Sequence, residues 1–215
     1  MQQLKSKSLN TLNEILEHKL VAIIRGAEPG DLLRIAIALQ EGGIKLIEIT
    51  LNSPDALKMI EKLSAELAGK MSIGAGTVLN AEAARAAISA GAKFIISPVV
   101  DEKTIRITKE AGVVSIPGAY SPTEILLAHN YGGEIIKLFP ASQGAQYMKD
   151  ILAPLSHIRI MPTGGITLQN IRAYHDAGAV AFGIGTALVN TGKKVNEIYL
   201  SEITSNARQF VEAIQ

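Results

Sequence analysis

Glu134-Ile-Ile-Lys137-Leu-Phe139-Pro140 is a strand-like run with a single lysine at its centre. Its apolar residues favour a strand, and Pro140 ends it because proline cannot donate a ladder hydrogen bond. Residues two apart on a strand share a face, so Lys137 lies with Ile135 and Phe139. On a central strand the amine would be buried, and lost hydration favours the neutral form that attacks a ketone to make a Schiff base. On an edge strand the side chain would instead reach solvent along its aliphatic stem.

The composition excludes several classes of function. The 215 residues are 47% hydrophobic, carry a net charge of +1, and include 4% aromatic residues and no tryptophan. Such a chain has neither a basic field nor a stacking platform for nucleic acid. It has no cysteine, and we find no signal peptide or membrane-spanning run. We therefore expect a cytoplasmic protein with no nucleic-acid or membrane partner.

Short β-rich runs alternate with helical stretches from Leu20 onward, the pattern of repeated βα units with a parallel sheet. The predicted strands are Val21–Arg25, Ile44–Thr50, Ser72–Val78, Phe94–Pro98, Val113–Gly118, Ile135–Phe139, Ile158–Gly164 and Val180–Gly185. The predicted helices are Asp31–Glu41, Pro54–Leu67, Ala81–Ala90, Asp101–Ala111, Pro122–His129, Gln146–Leu152, Leu168–Ala177 and one toward the C-terminus. Leu9, Leu12, Ile15 and Leu16 add a short lead-in helix.

Eight units without a linker favour one (β/α)8 TIM barrel domain over residues 1–215. A doubly wound open sheet usually has fewer strands and a glycine fingerprint in its first βα turn. Here Gly74-Ala-Gly76 lies at the third strand and lacks the third glycine, so a dinucleotide site is poorly supported.

A barrel of this kind has its active site at the C-terminal ends of its strands. Glu48 on strand two and Lys137 on strand six each lie about two positions from the strand end, and these strands are opposite in an eight-stranded ring. We expect the two side chains to face each other, with Lys137 forming an imine and Glu48 moving protons. The alternative is an ion pair retained without a catalytic use.

Glycine-rich turns follow the last two strands. Pro162-Thr163-Gly164-Gly165-Ile166 and Gly183-Ile-Gly185-Thr186 stand where barrels of this type bind phosphate, although glycine also serves plain turns. Thr77 ends the third strand after Gly74-Ala-Gly76, where a small carboxylate has room, and it could equally be a turn residue.

A metal site is not predicted. His18, His129 and His175 fall on helices, and His157 precedes the seventh strand at the end away from the site. None of them pairs at ligand spacing, which argues against a zinc-dependent aldolase.

Taken together, the chain resembles the 2-keto-3-deoxy-6-phosphogluconate (KDPG) aldolases, whose members also cleave 4-hydroxy-2-oxoglutarate or the galactonate epimer. The matching pieces are Glu48-Ile-Thr-Leu51, Gly74-Ala-Gly-Thr-Val-Leu-Asn80, Ile96-Ser-Pro98, Pro117-Gly118, Lys137-Leu-Phe-Pro140, Pro162-Thr-Gly-Gly-Ile166 and Gly183-Ile-Gly185. They occur in order across nearly the whole chain, which makes the match specific.

The resemblance implies a class I aldolase without metal or other cofactor, usually a homotrimer, that acts on a phosphorylated keto-sugar acid and releases pyruvate. It makes Lys137 the Schiff-base lysine and Glu48 the general acid and base. The remaining implied roles are the pyruvate pocket (Thr77, Pro98, Phe139) and the phosphate site (Gly164, Gly165, Gly185, Thr186).

One departure leaves the substrate open. KDPG-specific members carry an arginine in a Leu-Arg-Thr run where this chain has Leu51-Asn52-Ser53-Pro54, as the galactonate-type enzymes do. Arg25, at the end of strand one, either supplies the lost charge toward a carboxylate or is a surface residue. Thr163 and Thr186 look closer to the gluconate-type pattern.

Three functions therefore stand side by side. The first is aldol cleavage of KDPG or its galactonate epimer, with both catalytic residues used. The second keeps that chemistry on an unphosphorylated substrate such as 4-hydroxy-2-oxoglutarate. The third is a barrel that binds a phosphosugar without catalysis, which leaves Glu48 opposite Lys137 unexplained.

Overall fold

A computed structural model describes residues 2–215, with side-chain surroundings from residue 8 onward. The strands are β1 Leu20–Ile24, β2 Leu46–Thr50, β3 Ser72–Gly76, β4 Phe94–Ile96, β5 Val114–Ile116, β6 Gly118–Ala119, β7 Ile136–Leu138, β8 Ile160–Pro162 and β9 Phe182–Ile184. The helices are α1 Gln2–His18, α2 Leu32–Glu41, α3 Ala56–Glu66, α4 Ala81–Ser89, α5 Glu102–Glu110, α6 Pro122–Tyr131, α7 Ala145–Leu152, α8 Ile171–Asp176 and α9 Glu197–Ala213. The predicted α/β class with a parallel sheet is confirmed.

Polar side chains begin several of the helices. Asn80, Asp101 and Asn196 each accept a hydrogen bond from the backbone amide three residues on. Ser121 and Glu124 form a reciprocal capping box at α6. These caps satisfy amides that a helix leaves unpaired, and they place each helix start directly after a strand or its loop.

The strands form a six-stranded sheet in the order β5-β4-β3-β2-β1-β9 and a three-stranded sheet in the order β6-β7-β8. Every recorded strand pairing is parallel. The sequence predicted one continuous strand over 113–118, but the structure divides it into β5 and β6 at Pro117. Proline has no N–H to donate, so the ladder toward β4 stops there and resumes toward β7.

Hydrogen bonds also cross between the two sheets. On one side Glu134 N donates to Ser115 O at 3.0 Å. On the other side Val180 N donates to Ile160 O at 3.0 Å, and an isolated parallel bridge pairs Thr163 with Gly183. Chain segments at both edges of the six-stranded sheet therefore hydrogen-bond with segments of the three-stranded one.

The core has two parts. A larger cluster packs the helices on the outer faces of the sheets. An inner cluster lies between the strands: Leu12, Ile15, Val21, Leu46, Phe94, Ile96, Val114, Ile116, Ile135, Met161 and Ala181. Two of its members come from α1, so the lead-in helix fills the N-terminal ends of the strands. Consistent with this, Ser72, the first residue of β3, donates to Glu14 of α1 at 2.5 Å. None of the described helices is long and apolar enough to cross a bilayer.

Candidate active site

A cavity of about 730 Å3 opens at the C-terminal ends of the strands. Its volume is in the usual range for small-molecule sites. It brings together ten of the predicted site residues: Arg25, Thr77, Pro98, Lys137, Phe139, Thr163, Gly164, Gly165, Gly185 and Thr186. Glu48 and Asn52 do not line it, but Asn52 accepts a hydrogen bond from Arg25, which does.

Lys137 is buried, with 4% of its surface exposed. It lies at the centre of β7, which has β6 on one side and β8 on the other, so the edge-strand alternative is wrong. Its Nζ lies 4.9 Å from the centroid of the Phe139 ring and lines the cavity. A primary amine at the wall of a cavity is placed to attack a bound carbonyl.

Glu48 is fully buried on β2. Leu46 and Ile135, two residues before Glu48 and Lys137 respectively, both belong to the inner cluster. Because residues two apart share a face, both ionisable side chains point to the interior. The alternation along the two predicted strands indicated this inward direction for both side chains.

The carboxyl group of Glu48 has an unusual environment. Among the described residues, neither of its oxygens has a hydrogen-bond partner, so Glu48 and Lys137 are not joined as a hydrogen-bonded ion pair. Burial raises the pKa of Glu48, and the nearby charges of Lys137 and Arg25 only partly oppose that effect. A carboxyl with a raised pKa is a stronger proton acceptor than an ordinary glutamate side chain.

Arg25 connects three of the predicted residues at the cavity edge. Its Nη1 donates to Asn52 Oδ1 at 2.9 Å and to Thr77 Oγ1 at 3.3 Å. Asn52 therefore contacts the guanidinium from outside the cavity. Arg25 and Thr77 line the cavity itself, where the guanidinium provides a positive charge for an anionic substrate group.

Thr77 follows β3 in a left-handed backbone conformation, with φ of 56°. This region is uncommon for a β-branched residue and stores strain. The strained turn directs the Thr77 hydroxyl toward Arg25.

The two glycine turns form another part of the cavity lining. Gly164 and Gly165 both have positive φ, and the Asn170 side chain holds their turn by donating to Gly165 O at 2.7 Å. After β9, Gly185 O accepts from Leu188 N and Val189 N, which makes a helical turn. The amides at the start of such a turn point outward and suit an anion.

Three polar residues of the cavity were not predicted: Thr167, Asn190 and Thr191. Asn190 and Thr191 line it from the loop after β9, and Thr191 Oγ1 donates to Arg25 O at 2.6 Å. The Tyr199 hydroxyl fixes this loop by accepting from Asn190 N and donating to Asn190 O. In the sequence, Asn-Thr-Gly reads as an ordinary turn, and only its position after the last strand could have drawn attention to it.

The histidines lie on the predicted elements, and His129 and His157 pack edge to face. Within the part of the chain that the structure describes, no group of three His, Asp or Glu residues is placed to hold a metal ion.

Comparison with known proteins gives a consistent result. The family model described as "Aldolase: KDPG and KHG aldolase" matches residues 12–205. The 2-dehydro-3-deoxy-6-phosphogalactonate aldolase of Escherichia coli K12 is 33% identical over 198 residues, which are 91% of this chain and 96% of the relative. The 2-dehydro-3-deoxy-phosphogluconate aldolase of Pseudomonas aeruginosa is 36% identical over 176 residues, 81% of this chain and 80% of the relative.

A solved structure is also similar. The KDPG aldolase from Legionella pneumophila, with pyruvate captured at low pH as a covalent carbinolamine intermediate, superimposes with a TM-score of 0.76 and 28% identity. The alignment covers 92% of each chain.

Proposed function

The chain belongs to the KDPG and KHG aldolase family and is a class I aldolase, and from this we propose that it reversibly cleaves KDPG to pyruvate and glyceraldehyde 3-phosphate. The membership confirms the resemblance seen in the sequence motifs. The observation that carries the proposal is the buried amine of Lys137 at the cavity wall, with the unpaired carboxyl of Glu48 inside the same fold.

In the proposed reaction, Lys137 Nζ attacks the C2 ketone and forms a carbinolamine. Loss of water then leaves an iminium ion, which accepts the electron pair of the C3–C4 bond when that bond breaks. The amine is restored when water hydrolyses the final imine. The burial of Lys137 at the cavity wall supports this role, because it places the amine where the ketone of a bound substrate can reach it.

Glu48 is the proposed proton carrier. Its carboxylate takes the proton of the C4 hydroxyl as the C3–C4 bond breaks, which releases glyceraldehyde 3-phosphate and leaves an enamine. The carboxylic acid then returns the proton to C3, which produces the imine of pyruvate. The raised pKa of Glu48 suits this role, since a carboxyl that holds its proton more tightly is a better acceptor for the C4 hydroxyl proton.

The two ends of the substrate are assigned to different parts of the cavity lining. We assign the carboxylate to Arg25 and Thr77, with Pro98 and Phe139 bounding the pyruvate portion. We assign the phosphate to the turns containing Thr163, Gly164, Gly165, Gly185 and Thr186. Charge and amide direction support this assignment, because the guanidinium supplies a positive charge for the carboxylate and the outward amides of the glycine turns suit the phosphate.

The galactonate epimer is the second candidate substrate. Asn52 stands where KDPG-specific members carry arginine, and Arg25 contacts its side chain at 2.9 Å. The positively charged guanidinium of Arg25 therefore comes from the end of β1 and not from the loop after β2. This favours a different placement of the substrate carboxylate, and with it a different C4 configuration.

The test is pyruvate release from the two phosphorylated epimers and from 4-hydroxy-2-oxoglutarate, measured side by side. The proposal predicts faster turnover of a phosphorylated substrate than of 4-hydroxy-2-oxoglutarate. Faster turnover of the latter would point to the unphosphorylated alternative, and phosphosugar binding without pyruvate release would point to a non-catalytic protein.

Asn52→Arg is the companion variant, and we expect it to raise activity on KDPG relative to the galactonate epimer. An unchanged epimer ratio would rule out position 52 as the selector.

We further propose that the chain is one domain in which both sheets close into a single eight-stranded ring, with β5 and β6 counted as one interrupted strand. The hydrogen bonds between the sheets on both sides support closure.

We also propose a homotrimer. Its support on this chain is the exposure of Leu79 and Val99, large apolar residues in the loops after the adjacent strands β3 and β4.

A further inference from the structure

Two glycines on β3, Gly74 and Gly76, face the side chain of Glu48 on the neighbouring strand. The parallel register pairs Glu48 with Gly74 and Thr50 with Gly76. Residues two apart share a face, so the Glu48 side chain has two neighbouring spaces on β3 in which to lie. One is directly across from it, and the other is one step nearer the C-terminal end of the strand and the cavity.

The space over Gly74 is already filled. A Cβ atom added there would come within 2.5 Å of Phe94 Cζ and still closer to other atoms of that ring. Phe94 belongs to the inner cluster and is fully buried, so the ring cannot withdraw without opening a void. The carboxyl group of Glu48 is therefore excluded from the position directly across the ladder.

The space over Gly76 holds the carboxyl group itself. A Cβ atom added at Gly76 would lie 2.5 Å from Glu48 Cγ and closer to Cδ and Oε1. The side chain thus leans toward the end of β3, beside Thr77 in the cavity. No hydrogen bond from the described residues holds the carboxyl oxygens in this place. Packing shape, and not a hydrogen bond, determines where the proton carrier sits.

We propose that Gly76 is a positioning residue for the proton carrier Glu48: of the two spaces beside Glu48 on β3, the absent side chain of Gly76 leaves open the one nearer the reacting atoms. The inference rests on the proposed role of Glu48. It adds that a residue without any functional group determines turnover, by leaving room for the carboxyl group of its neighbour.

The variant Gly76→Ala tests this directly. The added methyl group meets the free end of a flexible side chain and not backbone, so the cheapest response is rotation of Glu48 with the fold kept. We expect native-like circular dichroism and a kcat about 10²-fold lower or more, the usual contribution of a general acid or base. KM should change much less, because Arg25 and the glycine turns are untouched.

Two glycine variants serve as controls. Gly30→Ala adds a methyl group where no other atom lies within 4 Å, and it should leave kcat and stability unchanged. Gly74→Ala pushes against the Phe94 ring, so its main effect should be lost stability. A Gly76→Ala variant that behaved like Gly74→Ala, with stability lost and kcat kept, would overturn the proposal.

The double variants separate positioning from a general packing effect. In a Glu48→Gln background, Gly76→Ala should lower kcat no further, since the carrier is already gone. Losses in kcat that multiply would overturn the proposal.

If Gly76→Ala fails to fold, the double variant Gly76→Ala with Glu48→Ala must fold, because deleting the carboxyl group frees the space. A second failure to fold would show that the clash lies elsewhere and would overturn the proposal. Wild-type turnover by Glu48→Gln would remove the proposed role of Glu48, and this inference with it. A lower kcat in Glu48→Gln with an unchanged kcat in Gly76→Ala would overturn this inference alone.

Discussion

At the scale of single residues, Glu48 is the site residue whose burial costs folding free energy. The carboxyl group is fully buried without a hydrogen-bond partner among the described residues. Burial raises its pKa above the ordinary value of 4.5, so the folded protein holds this proton more tightly than the unfolded chain does. The contribution of Glu48 to folding is therefore fully present below pH 4.5 and is lost as the pH rises toward the pKa of the folded state.

This linkage makes a prediction for Glu48→Gln. The amide does not titrate, so the free energy of unfolding of the variant, relative to the wild type, should increase as the pH rises from 4.5 into the neutral range. The increase should be about 1.4 kcal/mol for each unit by which folding raises the pKa. Urea unfolding at several pH values measures it. A difference that did not vary with pH would contradict the raised pKa of Glu48.

Thr77 makes a second prediction at this scale. Its left-handed backbone, with φ of 56°, is strained for a β-branched residue, and asparagine tolerates the region much better. Thr77→Asn should therefore stabilise the fold by about 1 kcal/mol while lowering kcat/KM, because the hydroxyl beside Arg25 is lost. Thr77→Ser keeps the hydroxyl and should keep most of the activity. An asparagine variant that was less stable and fully active would contradict both the strain and the assigned role.

Residue-level prediction from the sequence succeeded where side-chain period decided the answer. Alternation along two strands was sufficient to place Glu48 and Lys137 on inner faces. It could not place Asn190 or Thr191, which reach the cavity from a loop whose path is fixed by the Tyr199 hydroxyl. Nor does the sequence reveal the left-handed turn at Thr77, because tertiary contacts impose it.

At the scale of elements, α1 is separate from the chemistry. Leu12 and Ile15 enter the inner cluster from the N-terminal ends of the strands, whereas the cavity lies at the C-terminal ends. Ser72, bonded to α1, and Thr77, at the cavity, are five residues apart along β3. At about 3.3 Å per residue the strand separates the two ends by roughly 16 Å.

We accordingly predict that Ile15→Ala destabilises the protein by about 2–5 kcal/mol, the usual cost of a large-to-small change in a core. Ile15 is fully buried, so the lost methyl groups leave a void. KM and kcat, measured well below the unfolding midpoint, should stay at wild-type values. Stability should be followed by denaturant unfolding in parallel with the assay. A selective loss of kcat in folded protein would show that α1 acts on the site.

The element pattern was largely predictable, and its exceptions have physical causes. Apolar runs such as 158–164 indicate where a strand lies, but the ladder in β8 covers only Ile160–Pro162, since hydrogen bonding depends on the neighbouring strands. The break at Pro117 follows from the missing amide donor of proline. The spacing of Leu9 to Leu16 predicted a helix, but not that it would fill one end of the inner cluster.

At the scale of the whole molecule, closure and assembly go beyond what periodicity indicates. Parallel βα units were readable from the order of strands and helices, and the parallel sheets confirm them. The proposed closure depends on a few cross-sheet hydrogen bonds, such as Glu134 N to Ser115 O, that no local pattern encodes. Assembly depends on which exposed apolar residues meet a partner.

The proposed trimer can be tested by charge insertion. Val99 is 48% exposed after β4, and Val99→Asp should shift the protein from trimer to monomer because three carboxylates would be buried in the contact. Ile198, 75% exposed on α9, is the matched control, and Ile198→Asp should leave the trimer intact. Sedimentation velocity gives the mass. A monomeric wild type would contradict the proposal outright, and a trimer that persists in Val99→Asp would place the contact elsewhere.

The most direct test of the whole account is borohydride reduction in the presence of pyruvate, followed by peptide mass mapping. Reduction converts an imine between Lys137 and pyruvate into a stable secondary amine, which traps the bond that the buried amine is proposed to form. The account predicts one carboxyethyl group on the peptide that contains Lys137, with activity lost in proportion, and none when pyruvate or borohydride is omitted. An unmodified Lys137, with the group on another lysine or on none, would contradict it.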